Sequence, residues 1–132
     1  MAILPNGAGG YQVGDGNLGE VTFGTSAIPT AYTAAATLTA ADLAGGAVVY
    51  TSASTADLAL PAVSVLEASL SSAKVNSSFE FSLIATSTGV PTITVGTGWT
   101  LVGVGLGIAS RSVLFRAVKT SATTYNLYRI AG

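Results

Sequence analysis

The chain has 132 residues, of which only 8% are charged; its formal net charge is −1, and it contains neither histidine nor cysteine. Ordinary soluble domains carry about 25% charged residues, so this surface must be made largely of Ser, Thr, Gly and Ala. The missing residue types exclude Ser-His-Asp catalysis, thiolate nucleophiles, disulfides and zinc sites of the thiolate kind.

The five basic residues, Lys74, Arg111, Arg116, Lys119 and Arg129, form no run. Nucleic-acid binding needs a basic patch that displaces counterions from phosphates, so no nucleic-acid partner is expected. The length suits one domain. Mean hydropathy is high at +0.61, and a near-neutral surface with few charges of either sign tends to associate. That points to a subunit covered by other protein, against the plainer reading of a small β-domain with a Ser/Thr-rich surface. Met1 to Gly7 lacks the positive and apolar regions of a secretory leader, so synthesis in the cytoplasm is expected. The most hydrophobic tract, Val102 to Ala109, is interrupted by glycine and falls short of the ~20 residues of a membrane helix. No membrane partner is expected.

In chain order, residues 1–33 read as an extended N-terminal arm. Gly7, Gly9, Gly10, Gly14, Gly16 and Gly19 break every period, while Ile3, Leu4, Tyr11 and Phe23 stand between glycines as apolar pegs for another surface. Flexible linkers are poorer in such side chains. From Ala34 a β domain is expected to run to Gly132. It opens with a short strand at Thr37 to Thr39. Thr39-Ala40-Ala41-Asp42 then has capping-box spacing and starts one helical turn through Leu43, which Gly45-Gly46 ends. Strands follow at Ala47 to Thr51 and Asp57 to Leu60.

Pro61 sits where a first helical residue is favoured. Val63, Leu66 and Leu70 recur at helical spacing opposite Ser64, Glu67 and Ser71, predicting a short amphipathic helix, with Lys74 beyond its last turn where a cation suits the dipole. Phe79, Phe81, Leu83 and Ala85 alternate with Ser78, Glu80, Ser82 and Ile84, a strand with one buried face. A turn cluster spans Thr86 to Pro91, and strands are predicted at Thr92 to Val95, Trp99 to Val104, Ser110 to Val118 and Thr124 to Ile130. The pattern predicts an all-β fold, a jelly-roll-like sandwich or compact barrel with one short helix and the arm. From Val102 to Ile108 the apolar residues Val102, Val104, Leu106 and Ile108 alternate with Gly103, Gly105 and Gly107. As a strand this tract has a bare backbone face that lets another strand or subunit approach closely; as a loop it is flexible.

No constellation carries chemistry. The carboxylates Asp15, Glu20, Asp42, Asp57, Glu67 and Glu80 have no supporting motif for a glycosidase pair, and three have commoner roles: Asp42 as cap partner, Glu67 on a solvated helix face, Glu80 at an outward strand position. Asn6 to Asn17 is rich in glycine but lacks the Gly-Lys-Ser/Thr ending of a phosphate loop. Asp15, Asn17 and Glu20 do not complete a calcium-loop pattern. Asn76-Ser77-Ser78 reads as a turn rather than a glycosylation site. Trp99, Tyr32, Tyr50, Tyr125 and Tyr128 are candidates for a carbohydrate shelf or, more commonly at strand positions, for core. No cofactor or metal is implied, and the chain is expected not to be an enzyme.

Three segments carry a resemblance: Thr37 to Pro61 with the helix after it, Val75 to Val102, and Ser110 to Ile130. Together they run from a Thr-Leu-Thr strand through a Gly-Gly turn, a Leu-Pro lead into a helix, a Phe-x-Phe strand and a Gly-Thr-Gly turn to a closing aromatic-x-x-aromatic-Arg strand. Over residues 37–130 the chain resembles the decoration, or cement, proteins on the heads of tailed double-stranded DNA phages. The resemblance implies a structural virion protein on the outer capsid surface. Such a protein is a homotrimer that binds the major capsid protein and stabilises capsomer contacts, with no catalytic residues. Ile3, Leu4, Tyr11 and Phe23 would then contact the capsid, and Val102, Val104, Leu106 and Ile108 the neighbouring subunit. Similar stretches occur in phage head-fibre and adhesin domains, so binding of host surface glycan is the alternative.

Overall fold

A computed structural model describes residues 28–132. The expected capsid-contact residues Ile3, Leu4, Tyr11 and Phe23 lie outside them. The fold is mainly β, with nine strands in two sheets and two short helices among the described residues.

The chain passes back and forth between the sheets. Strands β1 (Ala31–Tyr32), β3 (Ala47–Tyr50) and β5 (Ser78–Ala85) lie side by side and parallel in one sheet. Strands β2 (Ala36–Thr37), β4 (Ala56–Ala59) and β6 (Pro91–Thr94) do the same in the other. The result is three stacked coils, with Ala31, Val49 and Ile84 in one column and Ala36, Leu58 and Ile93 in another. The corners stack too. The Thr51 and Thr86 hydroxyls lie 2.9 Å apart, and the Gly89 N–H donates to the Ser52 carbonyl at 2.9 Å.

After the third coil, β7 (Trp99–Val102) takes the far edge of the larger sheet. The hairpin of β8 (Ser112–Ser121) and β9 (Thr124–Ala131) fills the space between β5 and β7, giving the order β1-β3-β5-β8-β9-β7. A jelly roll is built of antiparallel neighbours; here only β5–β8 and β8–β9 are antiparallel, and the other five strand pairs are parallel. Parallel neighbours need long crossover connections, and within the coils each connection carries a strand of the other sheet. Ala31 and Tyr32, read with the arm, pair with the sheet as β1.

Helix α1 (Ala40–Ala44) carries the complete capping box: the Asp42 N–H donates to the Thr39 hydroxyl at 3.1 Å, and the Thr39 N–H to the Asp42 carboxylate at 2.9 Å. Helix α2 (Val63–Ser69) starts two residues after Pro61, the expected first helical position, with Ala62 as its cap. Pro61 serves instead through its carbonyl, which accepts the buried Trp99 indole N–H at 2.8 Å. Lys74 lies too far past the helix end to meet its dipole. Two helices form rather than one because the α1 turn is a true helix that buries Ala40 and Leu43.

Both sheets and both helices feed one core. Val48, Tyr50, Leu58, Leu66, Leu83, Ile93 and Leu127 are fully buried in it, and Phe81 stacks on Phe115 with ring centroids 5.5 Å apart. Phe115→Ala is expected to cost about 3–5 kcal/mol through lost burial and a residual cavity, and Thr39→Ala about 1 kcal/mol through the lost cap. Urea unfolding measures both; equal losses would refute this assignment of core and cap.

Candidate functional site

The tract expected to contact a neighbouring subunit begins as regular strand. Beyond Val102, Gly103 adopts φ +105° and turns the chain out of β7. Residues 105–107 then run antiparallel to β6: the Ile93 N–H donates to the Gly105 carbonyl at 2.8 Å, and the Gly107 N–H to the Pro91 carbonyl at 2.7 Å. The bare backbone face is therefore used, and the strand that approaches it is β6 of the same chain. A Cβ at Gly105 would sit 2.1 Å from the Ile93 carbonyl oxygen, and one at Gly107 2.6 Å from that of Pro91.

The apolar face points away from this seat. Val102, Val104 and Leu106 are 43%, 58% and 48% exposed, whereas Ile108 is half-buried against the core. The structure thus brings three of the four expected contact residues into one exposed ridge. Two supports escaped sequence analysis. The Arg129 guanidinium on β9 donates to the Val104 carbonyl at 2.9 Å and to the Leu106 carbonyl, and Ile130 beside it is exposed. An arginine near the end of a strand carries no signal that it will bind backbone more than twenty residues earlier.

The carboxylates separate by role. Asp42 also accepts from the Tyr32 hydroxyl. Partial burial opposes its ionisation, but bonds from the Thr39 backbone, Tyr32 and the Thr39 side chain outweigh that and hold the carboxyl below its ordinary value. Burial, then Asp42, pushes the Tyr32 hydroxyl up to about 12.

Glu67 is not on a solvated face. Its Oε2 accepts from Lys119 Nζ at 2.8 Å, and the same ammonium donates to the Ala73 carbonyl at 3.1 Å. Lys119 is only 6% exposed. Lys119 first, and Tyr125 next, lower the Glu67 carboxyl from its usual range. Glu67 Oε1 and the Tyr125 hydroxyl are buried beside the pair without a well-formed hydrogen bond among the described residues. Burial and this carboxylate push Tyr125 up to about 12. An open cleft of about 380 Å³ lined by Leu70, Ala73, Phe79 and Tyr125 adjoins the cluster. With one ammonium bound to one carboxylate and no second acid facing it among the described residues, the cluster ties α2 and the following turn to β8.

Among the described residues no three potential metal ligands cluster, and no helix is long and apolar enough to cross a membrane. Trp99, Tyr50 and Tyr125 are core residues, and Tyr32 and Tyr128 are half-buried, so the described aromatics form no open shelf. Asn76 occupies a turn at φ +76°. Comparison with known proteins returns no matching family model, curated protein or solved structure.

Gly105→Ala is expected to destabilise the fold by about 1–3 kcal/mol, the cost of forcing atoms into a packed seat, whereas Val104→Ser leaves the urea midpoint unchanged; the reverse order would refute the seat. Thermal stability should also depend on pH at both ends. Asp42 and Glu67 have lowered folded values, so their contribution is complete above the ordinary carboxylate range and is lost as pH falls through it. Tyr32 and Tyr125 are raised, so theirs is complete below pH 10 and is lost as pH rises from 10 toward 12. Circular dichroism melts of the wild type and of Tyr32→Phe/Tyr125→Phe check this: the alkaline loss should shrink in the double variant.

Proposed function

We propose that this protein is a capsid decoration protein: a homotrimer on the outer surface of a tailed-phage head that binds the major capsid protein and stabilises contacts between capsomers. The observation that carries the reading is the ridge of Val102, Val104 and Leu106, bound to β6 through Gly105 and Gly107 and braced by Arg129. Exposed side chains on so fixed a backbone lose little entropy when a neighbour covers them. Where a jelly-roll-like sandwich or compact barrel was expected to present such contacts, two sheets on a common core provide a similarly stiff platform. The scarcity of charge and the resemblance over residues 37–130 support the same reading. Many weak neutral contacts repeated over a lattice bind through avidity.

The purified chain is expected to have three times the 13.0 kDa chain mass by light scattering. Val104→Asp/Leu106→Asp should weaken self-association at least tenfold while the melting temperature holds. Deleting residues 1–22 should abolish attachment to undecorated capsids of the phage that encodes the chain, with the β domain still folded. A monomeric wild type, or full attachment without residues 1–22, would overturn the corresponding half of the proposal.

A further inference from the structure

Strand pairing gives the coils a common sequence frame. In the second coil Val48 and Tyr50 point inward from β3, and Leu58 and Leu60 from β4 and the residue after it; all four are buried. In the third coil Leu83 and Ala85 take the first two places, and Ile93 and Val95 the second two. The spacing is the same in both: each inward pair is two residues apart, and eight separate Tyr50 from Leu58 and Ala85 from Ile93. Outward places in the second coil fall on Val49, Asp57 and Ala59, none of them buried.

Residues 11–23 repeat this frame. Tyr11 and Val13 are two apart, Val21 and Phe23 are two apart, and eight residues separate Val13 from Val21. The outward places fall on Gln12, Glu20 and Thr22, all polar, with Glu20 where the second coil has Asp57. Such alternation suits strands that bury one face. Gly14-Asp15-Gly16-Asn17 falls at the corner, where those residue types form turns. The structure holds a matching place, because β1 and β2 each pair with one neighbour among the described residues. A strand paired on one side presents N–H and C=O groups on the other.

We propose that residues 11–23 dock as a further coil on β1 and β2 of the same chain, with Gln12 beside Ala31 and Thr22 beside Thr37. Ala31 already stands beside Val49, and Thr37 beside Ala59, so the new coil continues the existing columns. Val13 then extends the column of Tyr32 and Tyr50, and Phe23 that of Leu38 and Leu60. Chain length selects the occupant. Phe23 to Thr30 is seven residue steps, about 23 Å when extended, against the ~10 Å between stacked sheets. The corner raises no obstacle: the first coil crosses from Tyr32 to Ala36 in four residues, yet the second stacks on it in register with eight. Tyr11 and Phe23 thereby face the end of the core, and Ile3 and Leu4 alone of the four expected capsid contacts are left for a partner. The inference concerns the chain's own fold and stands apart from the capsid reading.

Engineered cysteines test the register, since the chain has none of its own. Neighbours on paired strands lie about 4.8 Å apart, within the range a disulfide spans. On mild oxidation Gln12→Cys/Ala31→Cys should form a bond within one chain at least about tenfold faster than Gln12→Cys/Thr37→Cys, whose second cysteine is on the other sheet. Side-chain parity is read by circular dichroism melts. Val21→Asp, at an inward place, should lower the melting temperature by about 4 °C or more, whereas Thr22→Asp, at an outward one, should change it by less than about 2 °C. Cysteine pairs that oxidise at equal rates, or aspartate variants that melt alike, would overturn the coil. A Gln12→Cys/Ala31→Cys bond that joins two chains, seen without reductant as a band at twice the chain mass, would overturn the same-chain docking in favour of exchange between copies.

Discussion

The parallel ladders joining β1 to β3 to β5, and β2 to β4 to β6, hold the molecule together only while the coils stay in register. A strand has a side-chain period of two, so a slip of one residue would turn Val48, Tyr50, Leu83 and Ala85 outward and bring Val49 and Ile84 into the core. Register is enforced from several directions. The inner columns must be apolar in every coil, the Thr51 and Thr86 hydroxyls meet at a corner, and Gly89 fits against the Ser52 and Ser54 carbonyls with no room for a Cβ. The pair of buried Lys119 with partly exposed Glu67 adds a directional constraint. A buried charge that loses its partner is strongly unfavourable, so α2 is held at one distance from β8.

Much of this was legible in residue order. The alternation from Ser78 to Ala85 marks β5 to the residue, and the Thr39–Asp42 spacing marks α1, because both signals are local. The coiled arrangement was not. Its repeat appears only after alignment by register, where Tyr32-Thr33, Tyr50-Thr51 and Ala85-Thr86 fall at equivalent corners. The second coil contains the α2 excursion and the first does not, so the repeat has no fixed period. Strand direction was equally hidden, since alternation of polar and apolar residues is the same in parallel and antiparallel pairs.

The candidate surface was half legible for a related reason. Glycine alternating with Val, Val and Leu signals a backbone that something approaches closely, and that part holds: β6 approaches. What residue order could not supply was the identity of the neighbour, which depends on how far the chain travels between Ile93 and Gly105. Glu67 shows the same limit. At helical spacing it sits opposite Val63, Leu66 and Leu70, which suggests solvent, yet β8 brings Lys119 to it from 52 residues away.

The two ends of the coil stack differ in kind. Past β5 the larger sheet continues into β8, and residues 105–107 occupy the free side of β6, so neither sheet can accept a further parallel coil there. At β1 and β2 the stack stops on two-residue strands with no such cover among the described residues. Growth by duplication is therefore directional. Among the described residues, a copied coil placed ahead of Ala31 meets two uncovered ladders, whereas one placed after Val95 would displace the glycine ribbon and with it the exposed ridge.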